Sequence, residues 1–364
     1  MLNDPSSIYS GPPPRAEAAH RALERYSWLI SLAATGFAGF LIWRFNVTIE
    51  GQSLIVSLGV MAFLIAICTV YRRWRPSPVL SNLSGAIAVL YCSIGMAGTI
   101  SLIGLQYKSS LIDERLATVD RSLGIDLPST IGWFADHPVS SQLLDVAYRS
   151  SFFQLFGLVI ALAVVRRFDK LWQLVFVCSL TIVASTTFSV FWPAKGAFAY
   201  FDYPSDLLER LPVDAGTYHL AKFEYFRNVP SPVISFANLQ GVVTFPSFHC
   251  CLVLMTIFAV TGTGWIFGSV LIWNLLVLVS TLPIGGHYVI DLPCGALLWL
   301  AATIMSLMLG RRAQTASVQL SEKASAEVEK GLPSRSRGQD FPLASTPLRT
   351  RRVPSAGIST VQTP

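Results

Sequence analysis

Eight apolar runs alternate with polar connections along this chain, at about Trp28–Trp43, Ser53–Tyr71, Ser84–Leu105, Ala147–Val165, Leu171–Trp192, His249–Val260, Trp265–Leu282 and Val289–Leu309. Most approach the roughly 20 residues that a helix needs to cross a hydrocarbon core. The pattern therefore predicts an all-α fold, a polytopic membrane bundle of about eight transmembrane helices. The sixth run is short and is expected to begin inside the membrane surface.

The polar segments divide the rest. Residues 1–26 read as a flexible, Pro- and Arg-bearing arm, and the first apolar run behind it reads as an uncleaved span. From 311 to 364 the chain is rich in Ser, Pro, Thr and Arg without apolar periodicity, which predicts a disordered basic tail. That tail is either in contact with anionic headgroups or simply solvated. Between Gln106 and Tyr148, Leu111, Leu116, Val119 and Leu123 recur at near-helical spacing among Asp113, Glu114, Arg115, Asp120 and Arg121. An amphipathic helix is expected there, either lying on the bilayer or capping the bundle. Trp133, Phe134, Trp192, Tyr200, Phe201 and Tyr203 suit an interfacial belt.

Composition agrees with a membrane protein. Of 364 residues 52% are hydrophobic and 13% charged, against about 25% charged in soluble domains, and the mean hydropathy is +0.53. The net charge of +6 gathers in short connections and the tail, a pattern of topology rather than of nucleic-acid binding. Arg15, Arg21 and Arg25 precede the first span. Arg72, Arg73 and Arg75 follow the second, Arg166, Arg167 and Lys170 the fourth, and Arg311 and Arg312 the eighth. With eight spans these clusters share one side, cytoplasmic by the positive-inside rule, with both termini on it. The long connections then face the other side. The six cysteines lie in or beside apolar runs without CxxC spacing, and Cys250 and Cys251 read as small hydrophobes rather than nucleophiles.

The candidate chemistry sits on that other side. His249 lies in FPSFHC, and His287 and Asp291 lie in GGHYVIDLPCG, each at the mouth of an apolar run. Ionisable groups at membrane depth are costly and mark sites or pathways. If Gly286 starts the eighth helix, His287 and Asp291 share a face with Cβ atoms about 6 Å apart. The carboxylate then fixes the imidazole tautomer and leaves the other ring nitrogen free as a nucleophile. His249 follows Ser247 at a helix N-terminus, where N–H groups attract anions and an imidazole can protonate a leaving oxygen. The Gly285-Gly286 pair admits close approach of a ligand to the backbone. An anion cradle, a nucleophile and an acid together suit phosphoryl transfer.

These residues carry a family resemblance. FPSFH resembles the Pro-Ser-x-His signature of the type 2 phosphatidic acid phosphatase superfamily, and GGHYVIDLPCG resembles its third motif, ending in His-x-x-x-Asp. GVVTFPSFH and GGHYVID are most similar to the inositol phosphorylceramide synthase-like branch. The similarity spans a six-helix core, residues 84–310, with 27–83 as two additional N-terminal helices. It implies a metal-independent, cofactor-free, two-step mechanism: His287 attacks phosphorus, Asp291 orients it, and His249 protonates the leaving alkoxide. Water or an alcohol then accepts the phosphoryl group. The implied substrate is a lipid phosphate, lipid pyrophosphate or phosphorylated headgroup, met at the non-cytoplasmic face. A bacterial inner membrane, with the site facing the periplasm or exterior, is the location the resemblance favours, with a eukaryotic endomembrane as the alternative.

Two departures stand out. The first motif, a lysine followed by Arg-Pro, is absent in that form; WPAKGAF occupies its place, making Lys195 the candidate phosphate clamp. The arginine of the third motif is also missing, since its position reads Ser280-Thr281. Neutralisation of phosphate then falls to Lys195, Lys222 or Arg227, beside donors from Ser247 and Gly286. Two other readings compete: a His/Asp metal site with open positions, and a transporter or non-catalytic membrane protein with a His/Asp proton relay. Transporters gather polar groups near the bilayer middle, whereas here they gather at one face.

Overall fold

The computed structural model describes residues 14–237 and 239–331. Within them are thirteen α-helices and almost no sheet. The long helices are α1 (Pro14–Arg44), α2 (Gly51–Arg73), α3 (Pro78–Gly104), α6 (Pro138–Val164), α7 (Phe168–Phe191) and α13 (Asp291–Gly331). All six contain a stretch long and apolar enough to cross a membrane. Two shorter apolar helices, α11 (Phe248–Ala259) and α12 (Trp265–Ser280), complete the predicted eight. At 1.5 Å per residue α11 rises only about 18 Å, short of the roughly 30 Å core. The chain integrates into a membrane as a helical bundle.

Helices α3 and α7 form the centre, two-thirds of each apolar window being buried, whereas α2 buries only 11% and offers the rest to lipid. Polar groups inside the spans find partners between helices, as the absence of water requires. Trp172 Nε1 donates to Asn82 Oδ1 at 2.7 Å, joining α7 to α3. Asn274 Nδ2 donates to Gln154 Oε1 at 2.8 Å and Trp273 Nε1 to Ser150 Oγ at 2.9 Å, joining α12 to α6.

The connections are more ordered than the apolar pattern alone suggests. Helices α4 (Asp113–Ser122) and α5 (Leu127–Asp136) precede α6; α8 (Ala197–Phe201), α9 (Ser205–Arg210) and α10 (Leu220–Asn228) follow α7. A two-residue parallel pair, β1 (Thr48–Ile49) with β2 (Val233–Ile234), ties the α1–α2 turn to the loop before α11. Prolines at 78, 128 and 138 stand in the first turns of α3, α5 and α6, where a missing N–H costs nothing.

Helix α4 resolves the two readings of the amphipathic segment: it caps the bundle. Its buried stripe is not the expected leucine one, because Val119 and Leu123 are exposed. Asp113, Leu116, Ala117 and Asp120 face inward instead, joining Leu127, Ile131, Phe198 and Tyr288 in a core of their own. Two segments expected to lack structure are partly helical. Helix α1 begins at Pro14 and buries Leu23 within the arm; Glu24 there pairs with Arg72 at 2.6 Å. Helix α13 continues past Arg311 to Gly331 through a stretch of helix-favouring Ala, Gln, Glu and Lys. The rest of the expected arm and tail, residues 1–13 and 332–364, lies outside the described residues. The described residues up to Gln319 fall in one compact unit, and the end of α13 belongs to a second that starts at Leu320.

Candidate active site

Three segments meet at one end of the bundle: the turn after α7, the loop entering α11, and the turn entering α13. Helix α13 starts at Asp291, not at Gly286, so His287 stands in the irregular turn before it. The expected pairing survives by another route. Asp291 reaches backward, its Oδ2 accepting the Tyr288 N–H at 3.0 Å like the carboxylate of a capping box. The same oxygen lies 3.0 Å from His287 Nδ1. Asp291 is fully buried and His287 is 2% exposed. The carbonyl of Thr281, at the position where the family's arginine is missing, accepts the His287 N–H at 3.1 Å.

With Nδ1–H given to the carboxylate, His287 presents Nε2. That nitrogen lies 3.3 Å from Ser247 Oγ, and Ser247 Oγ in turn accepts the Cys250 N–H at 3.3 Å as the N-cap of α11. The Ser247 N–H donates to the Asp291 carbonyl at 3.2 Å. Thus one serine couples the mouths of α11 and α13. His249, at the second position of α11, lies with its ring centroid 6.3 Å from that of His287, edge to face. The two imidazoles are therefore neighbours at the same mouth.

His249 is positioned by aromatics. Tyr148 of α6 stacks on it at 4.2 Å between centroids, and the Tyr148 hydroxyl lies 3.4 Å from Nδ1. Tyr148 OH is also 3.0 Å from Tyr218 OH. His249 opens on a cavity of about 780 Å³. Its apolar wall comes from α3, α6, α7 and the loop before α11, with Ile94, Phe152, Ile182 and Leu239; Arg149, Asp214 and Gln240 add polar groups. Arg149 is held by both oxygens of Asp145 at 2.8 Å.

The predicted phosphate-binding cations are placed less centrally. The Lys195 ammonium pairs with Glu224 of α10 and lies 6.0 Å from the centre of the Phe223 ring. This pairing holds the Glu224 carboxyl below its ordinary range. Lys222 Nζ lies 3.5 Å from Gln240 Oε1 at the cavity wall, and partial burial lowers its ammonium pKa. Arg227 donates to the Ser109 carbonyl at 2.9 Å, a backbone tie. These partners of the three cations lie away from both histidines of the motifs.

Gly286 has a different use from the expected one. It adopts φ +72°, and a Cβ there would stand 3.0 Å from the Gly216 carbonyl. The backbone that approaches is the protein's own. Gly196, at φ +100°, is likewise pressed against the Gly286 carbonyl, which accepts the Ala197 N–H at 2.9 Å. Glycine at these positions lets three turns touch.

Several residues of the site lie outside the two motifs or, like Tyr288, carry no assigned role within them. His219 is 3% exposed, and its Nε2 lies 2.7 Å from the Lys195 carbonyl. Burial lowers its pKa from the ordinary 6.5. Tyr288, wholly buried, donates its hydroxyl to Asp113 Oδ1 at 3.0 Å. Burial first, and Asp113 next, push the phenol far above its usual range. Asp113 also accepts the Lys195 and Gly196 N–H groups at 3.0 and 2.9 Å. Asp120 accepts those of Val289 and Ile290 at 2.8 and 2.9 Å. One signal was available for the two carboxylates: Asp113, Leu116, Ala117 and Asp120 fall at i, i+3, i+4 and i+7, a single helical stripe. Arg149 was visible as a lone cation within the start of a span.

Among the described residues no group of three or more His, Cys, Asp or Glu is arranged to hold a metal ion. A family model described as PAP2 superfamily matches residues 114–305, from the first turn of α4 into α13 and through every residue of the two motifs. No curated protein and no solved structure matches the chain.

Proposed function

This chain belongs to the PAP2 superfamily, and from that premise we propose that it transfers the phosphoryl group of a lipid phosphate or phospholipid-type headgroup through a phosphohistidine. In the first step His287 Nε2 attacks phosphorus, a P–N bond forms, and the P–O bond to the leaving group breaks. His249 supplies the proton that the departing alkoxide takes. Asp291 stabilises the positive charge that His287 acquires, and holds its Nδ1–H so that only Nε2 faces phosphorus. In the second step His249 takes the proton of water or an alcohol, whose oxygen attacks phosphorus and releases His287. No step calls on a metal.

The observation that carries this reading is the buried His287–Asp291 pair, its free nitrogen turned toward Ser247 and its ring beside that of His249. For Nε2 to attack, the Ser247 hydroxyl must turn from it toward a phosphoryl oxygen, which suits a residue with a freely rotating donor. The cavity beside His249 suits an acyl or isoprenoid chain, since its wall is built from membrane helices. Arg149 lines that cavity, Lys222 lies 3.5 Å from Gln240 on its wall, and Lys195 becomes available once an anion competes with Glu224. Basic clusters that follow the apolar stretches of α2, α6 and α13 favour a cytoplasmic location for that side. The site would then face the periplasm or exterior. The wording of the two motifs favours the inositol phosphorylceramide synthase-like branch, hence an alcohol acceptor beside water.

The test is a turnover screen in detergent over lipid phosphates, with and without alcohol acceptors and with excess chelator. Phosphate release or transfer that persists in chelator is expected. Absence of turnover on every lipid phosphate, or its abolition by the chelator, contradicts the proposal.

A further inference from the structure

We propose that Asp113 and Asp120 of α4 are positioning residues that hold the nucleophile's turn in its reactive register. The proposal rests on the reading of His287 as nucleophile. Helix α4 lies outside both motifs, yet Asp113 and Asp120 are buried, 5% and 2% exposed. Asp113 spans two segments: it accepts N–H groups from Lys195 and Gly196 after α7, and the hydroxyl of Tyr288 before α13. Asp120 accepts the Val289 and Ile290 N–H groups immediately ahead of α13.

These contacts bracket the reacting residue. Tyr288 follows His287, and its own N–H goes to Asp291 Oδ2, the oxygen that orients His287. Asp113, Tyr288, Asp291 and His287 therefore form one continuous hydrogen-bonded chain. Asp120 fixes the two residues between Tyr288 and Asp291, and occupies the anion position that the N-terminus of α13 offers. Five donors are bound by two carboxylates in a buried setting, where charge-assisted bonds are short and directional. A turn of irregular backbone, lacking helical or sheet hydrogen bonds, needs such an external frame to keep an imidazole in place. The glycine turns add two backbone bonds, from the Ala197 N–H to the Gly286 carbonyl at 2.9 Å and from the Gly216 N–H to the Ile284 carbonyl at 2.8 Å, but neither holds residues 288–290, which the two carboxylates reach.

The chemistry expected is a loss of orientation, not of binding. Asp120→Asn or Asp113→Asn puts an amide N–H₂ against backbone N–H donors, so one bond of each carboxylate becomes a repulsion. Displacement of a reacting atom by about 1 Å can cost on the order of 10²-fold in rate.

The experiment compares purified wild type with Asp113→Asn, Asp120→Asn and the control Glu114→Gln, whose side chain is exposed on the same helix. Rapid-quench formation of the phosphoenzyme, KM, inhibition by inorganic phosphate, inhibition by vanadate and thermal melting are measured together. A positioning role predicts phosphorylation slowed about 10- to 100-fold and vanadate inhibition weakened in proportion. KM and phosphate inhibition should change less than about threefold, and the control should match wild type. Parallel loss of phosphate affinity, KM and melting temperature would mark a purely structural role and overturn the proposal. So would an unchanged phosphorylation rate. If either Asn variant fails to fold, Tyr288→Phe decides, because it removes only the Asp113 hydroxyl bond; a several-fold slower phosphorylation is expected, and wild-type kinetics would contradict. Absence of a His287 adduct in wild type itself would instead refute the nucleophile assignment.

Discussion

The two imidazoles of this site are held in opposite ways. His287 is nearly sealed, with Nδ1 on a fully buried carboxylate and its backbone tied to Thr281. His249 is only partly buried, lies stacked on Tyr148, and opens on the cavity. A nucleophile benefits from one fixed nitrogen and one fixed tautomer, and the first environment supplies both. A residue that must exchange protons with a leaving group and then with an acceptor benefits from access. The difference suggests that the division of labour between the histidines is written in their surroundings as well as in their motifs.

Substitutions can break that contrast in decreasing order of effect. Asp291→Asn keeps the volume but favours the wrong tautomer and leaves the imidazolium unsupported. A fall in kcat of about 10³- to 10⁴-fold with a retained fold is expected from steady-state kinetics and circular dichroism. His249→Ala should cost roughly 10²–10⁴-fold with an alkyl leaving group, and far less with a nitrophenyl one, whose oxygen needs no proton. Equal losses for both leaving groups would remove His249 as the acid. Arg149→Ala and Lys195→Ala should raise KM by about tenfold or less, with kcat little changed, as expected for cations that bind without reacting. Of the two, Arg149 should have the larger effect, because it lines the cavity on which His249 opens whereas Lys195 does not.

The smallest effect concerns pH. His219 is buried neutral, so its folded pKa lies below the unfolded value near 6.5. The unfolded chain binds the extra proton as pH falls below that value. Stability contributed by neutral His219 is therefore complete above about 6.5 and declines below it, by at most about 1.4 kcal/mol per pH unit. Melting temperatures from pH 7.5 to 5 should fall in wild type and flatten in His219→Gln.

How much of this was legible in the chain varied with the range of the interaction. The eight apolar helices followed from hydrophobic runs, and His287, Asp291 and Ser247 from short motifs, because each depends on neighbours within a few residues. The start of α13 at Asp291 was missed: the carboxylate's backward bond to Tyr288 replaces the helical turn that the four-residue spacing suggests. The inward face of α4 was missed for a related reason. Leucines at near-helical spacing point to one stripe, but the backbone donors awaiting Asp113 and Asp120 belong to segments more than 75 residues away. Only tertiary structure reveals which carboxylates on a charged helix have such partners. The cations were hardest, since Lys195, Lys222 and Arg227 lie in polar connections where charge is commonplace, and their orientations depend on Glu224, Gln240 and Ser109.

The most direct test of the account is the identity of the phosphorylated residue. Enzyme mixed with a radiolabelled lipid phosphate is quenched within milliseconds in alkaline detergent, and the protein is assayed for bound label. The account predicts an acid-labile, base-stable adduct in wild type, retained at a slower rate in His249→Ala and absent in His287→Ala. Label bound by His287→Ala, or turnover by wild type with no adduct at any time, would contradict it.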